Sequence, residues 1–368
     1  MISAGLVTCG VALSGKVEPN WALLANVSDT SFPASIGPHL GSMTRKRMHQ
    51  EMAMRQQQMT RLINALPQLT HHQRQQLANA LGQLSSRSLA GEVIKARTGE
   101  HPVCPRCQSA AVVKNGSASG LQRYKCHQCQ RSFNALTGSP LAHLHLRGKW
   151  AAHAQALSQS LSLNQVARTL QVAQSTAFRW RHRFLACAKA LQAPQLCGIA
   201  EADESYFLIS AKGQRGLLRK ARKRGGKAER GCASWQYQGV LMARDRAGAT
   251  ANLMLDSGKA ASVQAALAPL LPKDTVLCTD GSTTLASAAR ALGVEHHGVN
   301  VSRGIRVDGP WHVQNVNAFV SRLRQWMGRF KGVATRYLAS YLGWFRVLDR
   351  APPTGVQPAC MLALAIGR

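Results

Sequence analysis

Acidic side chains are scarce in this chain. Its 368 residues include 16 Asp and Glu against 46 Lys and Arg, a formal net charge of +30. Charged residues make up only 17%, below the roughly 25% of an average domain, so the imbalance comes mainly from missing acids. Such a balance points to a polyanionic partner, nucleic acid before an anionic membrane. Long apolar runs are also missing. None approaches the ~18 residues of a membrane-spanning helix, so no membrane association is expected. No basic stretch leads into an apolar core at the N-terminus, so a secretory signal peptide is not expected either. Hydrophobic residues still make up 45%. That excludes wholesale disorder and, at ~150 residues per domain, suggests two or three domains. The ten cysteines do not read as an extracellular disulfide framework, because four of them pair at metal-ligand spacing. The expected compartment is a reducing cytoplasm, at the nucleoid.

Composition divides the chain. Residues 1–42 carry little pattern and read as a disordered leader or as sequence ahead of the true start, at Met43, Met48, Met52 or Met54. Residues 43–99 read as a helical segment. Within it, apolar positions from Leu62 to Leu84 suggest two short helices, broken at Pro67, with Thr70 as an N-cap. A cysteine-rich module follows at 100–140, a helical region at 141–196, an alternating strand and helix domain at 197–350, and a tail at 351–368. Strand-like runs at 199–208, 235–243, 249–255 and 275–279, with helices near 259–270 and 282–291, make 197–350 an α/β domain. Between Glu100 and Glu201 there is no acid but twelve Lys and Arg, while eleven of the 16 acids lie at or after Glu201. The middle of the chain suits phosphate; the last part holds the carboxylates.

Cys104-Pro-Arg-Cys107 and Cys126-His-Gln-Cys129 are separated by eighteen residues. Two CxxC turns of this kind complete a tetrahedral thiolate site, so Cys104, Cys107, Cys126 and Cys129 are expected to hold one structural Zn²⁺ in a zinc ribbon. His101 and His127 are spare. From Leu161 to Leu185 the pattern is that of a helix-turn-helix. Leu163, Val166, Ala167 and Leu170 form one apolar face, Gln171-Val-Ala173 the turn, and Ala177, Trp180, Phe184 and Leu185 the inner face of a second helix. The outer face offers Gln174, Ser175, Thr176, Arg179 and Arg183 to DNA. An ordinary basic helical hairpin is the alternative.

The run Ile199-Ala-Glu-Ala-Asp-Glu-Ser-Tyr-Phe207 is a strand. Period-two alternation puts Glu201 and Asp203 on one face and Glu204 on the other. Val276-Leu-Cys-Thr-Asp280-Gly281 is a second strand ending in an acid. In a chain that avoids acids, two carboxylates at such places could share Mg²⁺ beside bound DNA; ordinary edge and turn acids are the alternative.

Over about residues 100–350 the chain resembles bacterial insertion-sequence transposases of the DDE type with an N-terminal zinc ribbon, the ISXO group. The features come in that family's order: zinc ribbon, Phe133-Asn-Ala-Leu-Thr-Gly-Ser-Pro-Leu141, helix-turn-helix, Asp203-Glu204-Ser-Tyr-Phe, Lys212-Gly213, Arg224-Gly-Gly-Lys227, Asp280-Gly281 and His312-Val-Gln-Asn-Val-Asn317. The resemblance implies a ribonuclease-H-like catalytic domain and makes Asp203 and Asp280 the first two Mg²⁺-binding acids. It implies an enzyme that cuts the ends of its element and joins them to target DNA by two-metal phosphodiester transfer, working as a homo-oligomer. Most relatives have Glu at the third position, where this chain has Asn317, as a subgroup of them does. An amide oxygen ligates Mg²⁺ without charge and cannot act as a base. Glu295, Glu201 and Asp308 are substitute ligands, and His312 either assists a water or caps the helix. On that helix Val316, Phe319, Val320, Leu323 and Met327 make the buried face, with Asn317, Ser321 and Arg324 on the other. Arg324 corresponds to the basic residue that follows the third acid in relatives.

Between Lys212 and Arg230 nine Lys and Arg accompany one acid. This glycine-rich stretch, with Arg222, Lys223 and Arg224, reads as an arm gripping the DNA backbone; a solvated loop is the alternative. The aromatic residues from Trp326 to Phe345 read as core. Two rivals to a transposase remain: a transposase-derived DNA-binding regulator that is weak or inactive as a catalyst, which Asn317 favours, and a structure-selective nuclease.

Overall fold

The computed structural model describes residues 56–61, 63–99, 101–217, 236–300 and 303–367. The leader expected at 1–42 and the arm residues Arg222, Lys223 and Arg224 lie outside them. Residues 66–68 form a 3₁₀ turn at Pro67, and a single 28-residue helix, α1 (His71–Thr98), follows. Thr70 caps it: Gln73 N–H donates to Thr70 Oγ1 at 3.2 Å, and Gln73 Oε1 accepts from Thr70 N–H at 2.9 Å, a capping box. Where the sequence suggested two short helices, the second runs on to Thr98. It contains no proline and is rich in Ala, Leu and Gln, which favour the helix.

Strands β1 (Val112–Ala118), β2 (Leu121–Cys126) and β3 (Ser132–Asn134) form a three-stranded antiparallel sheet. Helices α2 (Trp150–Ser158), α3 (Leu163–Leu170) and α4 (Gln174–Phe184) follow. Ser162 and Gln165 make a capping box at α3. Gln171, in the left-handed region at φ 49°, makes the turn into α4. Ala177, Trp180, Phe184 and Leu185 are buried, the inner face that the periodicity predicts.

The α/β domain is built on five strands: β4 (Ile199–Leu208), β5 (Tyr237–Asp245), β6 (Thr250–Met254), β7 (Val276–Thr279) and β8 (Glu295–Gly298). Their order is β6-β5-β4-β7-β8. The β4–β5 and β5–β6 pairs are antiparallel, and β4–β7 and β7–β8 are parallel. This mixed sheet, covered by helices, is the ribonuclease-H-like architecture that the resemblance implies. Helices α5 (Ala260–Leu267) and α6 (Thr283–Leu292) are the crossovers into β7 and β8. Side-chain alternation separates two cores. Ala200, Ala202, Leu241, Ala243 and Leu277 pack with α5 and α6, whereas Val240, Met242 and Cys278 pack in the larger cluster with the later helices.

Those later elements are the short hairpin β9 (Val307–Asp308) and β10 (Trp311–His312), then α7 (Gln314–Gly328), α8 (Leu338–Asp349) and α9 (Pro358–Ile366). The aromatic residues form the expected core: Trp326, Tyr341, Trp344 and Phe345 are buried, with Trp326 and Trp344 edge to face at 4.9 Å. The stretch read as a tail holds α9, which buries Met361, Leu362, Ala365 and Ile366 and packs against α2 and α4. The helix-turn-helix is joined to this core directly. Trp326 Nε1 donates to Ser160 Oγ at 2.8 Å and Trp344 Nε1 to the Leu157 carbonyl at 3.1 Å. Gly343 lets α8 touch the chain after α4; a Cβ there would stand 2.2 Å from the Ala188 carbonyl oxygen. Among the described residues, no helix is long and apolar enough to cross a membrane.

Candidate functional site

The four ribbon cysteines converge as their spacing predicts. Their sulfur atoms all lie within 4.8 Å of one another, with Cys104 to Cys129 at 3.6 Å and Cys107 to Cys126 at 3.5 Å. A tetrahedral ion with bonds of about 2.3 Å needs sulfurs about 3.8 Å apart. Backbone N–H groups of Cys107 and Arg106 hold the Cys104 thiol down to about 6, toward the thiolate that binds metal. The cluster suits a structural Zn²⁺.

On the outer face of α4, Gln174, Ser175 and Arg179 are exposed and Thr176 is half-buried. Gln174 Nε2 donates to Asn164 Oδ1 at 2.5 Å, across the turn to α3. Arg183 is placed differently from the other four. Its guanidinium donates to the carbonyls of Pro140 and Ala142, the latter at 2.8 Å. Helical spacing put Arg183 on the outer face; only the fold brings the 140–142 loop to its side chain.

In the α/β domain the parallel pairing of β4 and β7 ends with Glu201 opposite Cys278. Two residues further on, the same offset sets Asp203 beside Asp280. Asp203 lies in mid-strand, two residues past the last parallel pair, while Asp280 directly follows the end of β7, where Gly281, at φ 87°, turns the chain away. Asp203 Oδ1 accepts the Glu204 N–H at 2.8 Å, and Asp280 Oδ1 accepts the Ser282 N–H at 3.0 Å. Burial and the charge of Asp280 raise the Asp203 carboxyl to about 6, and Arg324 pulls against them. Arg324 thus lies close enough to act on Asp203. It is seven residues beyond Asn317 on the same exposed side of α7, the side opposite buried Val316, Phe319, Val320, Leu323 and Trp326. Met327, expected in the buried face, is half-buried, and Trp326 takes its place.

The substitute ligands have other surroundings. Glu295 Oε1 lies 2.8 Å from His297 Nε2, and Asp308 is exposed in the β9–β10 hairpin. Glu201 is fully buried and both its oxygens are engaged. Oε1 accepts from Asn315 Nδ2 at 2.8 Å and lies 3.2 Å from Arg246 Nε, while Oε2 accepts the Val316 N–H at 2.9 Å. His312 Nδ1 is 3.4 Å from Glu201 Oε1, and its Nε2 faces Arg246. His312 Nδ1 also accepts the N–H of Gln314, the first residue of α7, at 3.3 Å, the helix-capping place that the sequence offered for it. Sequence reasoning gave no role to Arg246 or Asn315. Asn315 falls inside the quoted His312–Asn317 motif, but Arg246, in the β5–β6 turn, carries no signal.

Residues 195–346 match the ISXO2-like transposase domain, and residues 103–130 match the InsA N-terminal domain, a zinc ribbon. A protein of Halobacterium salinarum described as an uncharacterized protein in transposable element ISH50 is 28% identical over 272 residues, covering 72% of this chain and 90% of that protein. Among solved structures, a simian T-cell lymphotropic virus intasome chain aligns at 11% identity and TM-score 0.25, covering 56% of this chain and 72% of that one. A pre-cleavage Mos1 transpososome chain aligns at 14% and 0.19, covering 53% and 74%. At these TM-scores the fold rests on the strand order and not on the alignments. The chain is therefore similar to an InsA-type zinc ribbon over residues 103–130 and to an ISXO2-like transposase domain over residues 195–346.

Proposed function

We propose that this chain is a transposase that cuts the ends of its own insertion sequence and joins them to target DNA by metal-dependent phosphodiester transfer, with Asp203, Asp280 and Asn317 as the metal-holding set. The observation that carries the reading is the pair of carboxylates at one register of adjacent parallel strands, Asp203 within β4 and Asp280 just past the end of β7, in a chain that has few acids to spend. Burial and mutual repulsion raise the Asp203 carboxyl to about 6, and a cation between the two acids would relieve both. Two carboxylates and an amide are hard oxygen donors, which suits Mg²⁺. A bound Mg²⁺ pair supplies an activated attacking oxygen and a stabilised leaving oxygen. The chain's own residues do the rest. Asp203 and Asp280 provide the charge, Asn317 a neutral third donor, and Arg324 a cation facing the phosphate.

Around this site the reading assigns DNA contacts by exposure on α4 and by sequence charge at residues 222–224. Gln174, Ser175, Thr176 and Arg179 meet the terminal repeats, together with the zinc ribbon. Arg222, Lys223 and Arg224 hold the backbone of DNA of any sequence. Arg183 serves that surface from within, by fixing the loop before α2. Bringing two ends together requires at least a dimer. The neutral Asn317 favours the second reading, a DNA-binding regulator.

The deciding experiment incubates the purified protein with DNA carrying the inverted repeats that flank its gene, in Mg²⁺ or Mn²⁺. Cutting at the ends followed by joining supports the transposase. Cutting without joining supports a nuclease, and binding without cutting the regulator. No preference for ends over random DNA would overturn the assignment of end recognition to the helix-turn-helix.

A further inference from the structure

We propose that Glu201 is a positioning residue: it sets the start of α7, and with it Asn317, against the strand that carries Asp203, and it binds neither metal nor DNA itself. This rests on the transposase reading of Asp203 and Asn317.

A helix begins with N–H groups that have no partner within it and with a partial positive charge. The chain just before α7 serves only one of these groups with a side chain, His312 Nδ1 taking the Gln314 N–H at 3.3 Å. Val313, at its N-cap, offers no side-chain acceptor, and the first turn contains no acid. Glu201 supplies both from another element. Its Oε2 takes the Val316 N–H at 2.9 Å, and its Oε1 takes Asn315 Nδ2 at 2.8 Å. The carboxylate has no exposed surface, so its charge must be answered inside the protein. Arg246 answers it at 3.2 Å. The same guanidinium donates to the Pro310 carbonyl at 3.0 Å and contacts His312. The hairpin that leads into α7 and the helix start are therefore tied to one carboxylate.

The placement links two of the proposed metal-holding residues. Asp203 is two residues along the same strand and face, about 7 Å away at the usual rise. Asn317 directly follows Val316, whose N–H Glu201 holds. A lost anchor would move Asn317 relative to Asp203 while leaving the sheet paired. A metal-ligand role for Glu201 does not fit, because both of its oxygens already have donors.

The test is Glu201→Gln in the full chain. This keeps size and one acceptor but removes the charge and turns an N–H₂ toward a donor. Three readings are taken: amide exchange over 314–320 by mass spectrometry, Kd for the element ends, and the cutting rate at saturating DNA and Mg²⁺. The expected result is at least tenfold faster exchange confined to the start of α7, Kd within twofold of the parent, and cutting at least tenfold slower. Unchanged exchange, or unchanged cutting with faster exchange, would overturn the proposal. If Glu201→Gln does not fold, Asn315→Ala, which removes one donor and no charge, is judged on the same readings and the same directions. If the parent cuts nothing, the transposase reading fails by itself, and the exchange measurement still decides whether Glu201 anchors α7.

Discussion

The guanidinium of Arg181 lies 5.4 Å from the centre of the Trp344 ring, and so the second helix of the helix-turn-helix is anchored by a cation inside the aromatic core of the last helices. Arg181 is 1% exposed, lies 5.6 Å from the Phe330 ring and donates to the Leu161 carbonyl. Arg181→Ala would empty this space and leave that carbonyl without its donor. A loss of about 2–4 kcal/mol is expected in urea unfolding. Arg181→Met, which keeps much of the volume and buries no charge, should lose less. Equal and negligible losses in both would show that the contact anchors nothing.

Zinc is expected at one ion per chain on the four clustered cysteines. Removing it by chelation, or substituting Cys104→Ser, should unfold the ribbon, because the metal's binding energy is much of a small module's folding energy. Metal analysis and near-ultraviolet circular dichroism read the two effects. A zinc-free, fully folded ribbon would refute the assignment.

The two arginines of α4 should separate. Arg179→Ala should weaken binding to element ends more than to random DNA, since base contacts carry sequence preference. Arg183→Ala should lower the melting temperature first, because its guanidinium holds the Pro140 and Ala142 carbonyls. Replacing Arg222, Lys223 and Arg224 together should weaken both DNAs alike and flatten the salt slope by up to about 0.9 per lost contact. An end-to-random ratio untouched by Arg179→Ala would move recognition off α4.

Asp203→Ala or Asp280→Ala should abolish cutting while DNA binding holds or tightens, since less negative charge faces the phosphates. Asn317→Glu should alter metal affinity or Mg²⁺/Mn²⁺ preference, whichever way the rate moves. If Asn317→Glu and Asn317→Ala both match the parent, the third donor is another residue.

Acid should destabilise the helix-turn-helix core through His153. This imidazole has no hydrogen-bond partner among the described residues and sits against Trp180 and Phe184. Burial, helped by the nearby Arg181 charge, lowers it to about 3 from its usual 6.5. The folded form thus stays neutral while the unfolded chain takes up a proton. The contribution is intact above pH 6.5 and is lost as pH falls toward 3, by at most ~1.4 kcal/mol per pH unit. His153→Phe should flatten unfolding free energy against pH in that window. A slope identical to the parent's would show that His153 is not the acid-sensitive group.

The sequence by itself determined whatever depends on local spacing. Two CxxC pairs must meet on one ion, the Leu163–Leu185 periodicity must bury one face of two helices, and the 199–208 run must put Glu201 and Asp203 on a common face. Ordered motifs added the resemblance and the fold that it implies. What the tertiary structure alone decided depends on residues far apart in the chain. The parallel register that sets Asp203 beside Asp280 is a property of strand pairing. Arg183 turns to a loop some forty residues earlier. Arg181 and α9 join the helix-turn-helix to the last helices through burial that no local pattern encodes. Glu201 could be read as a spare ligand until the fold brought Asn315, Val316 and Arg246 to it, because a buried carboxylate takes its role from the donors that surround it.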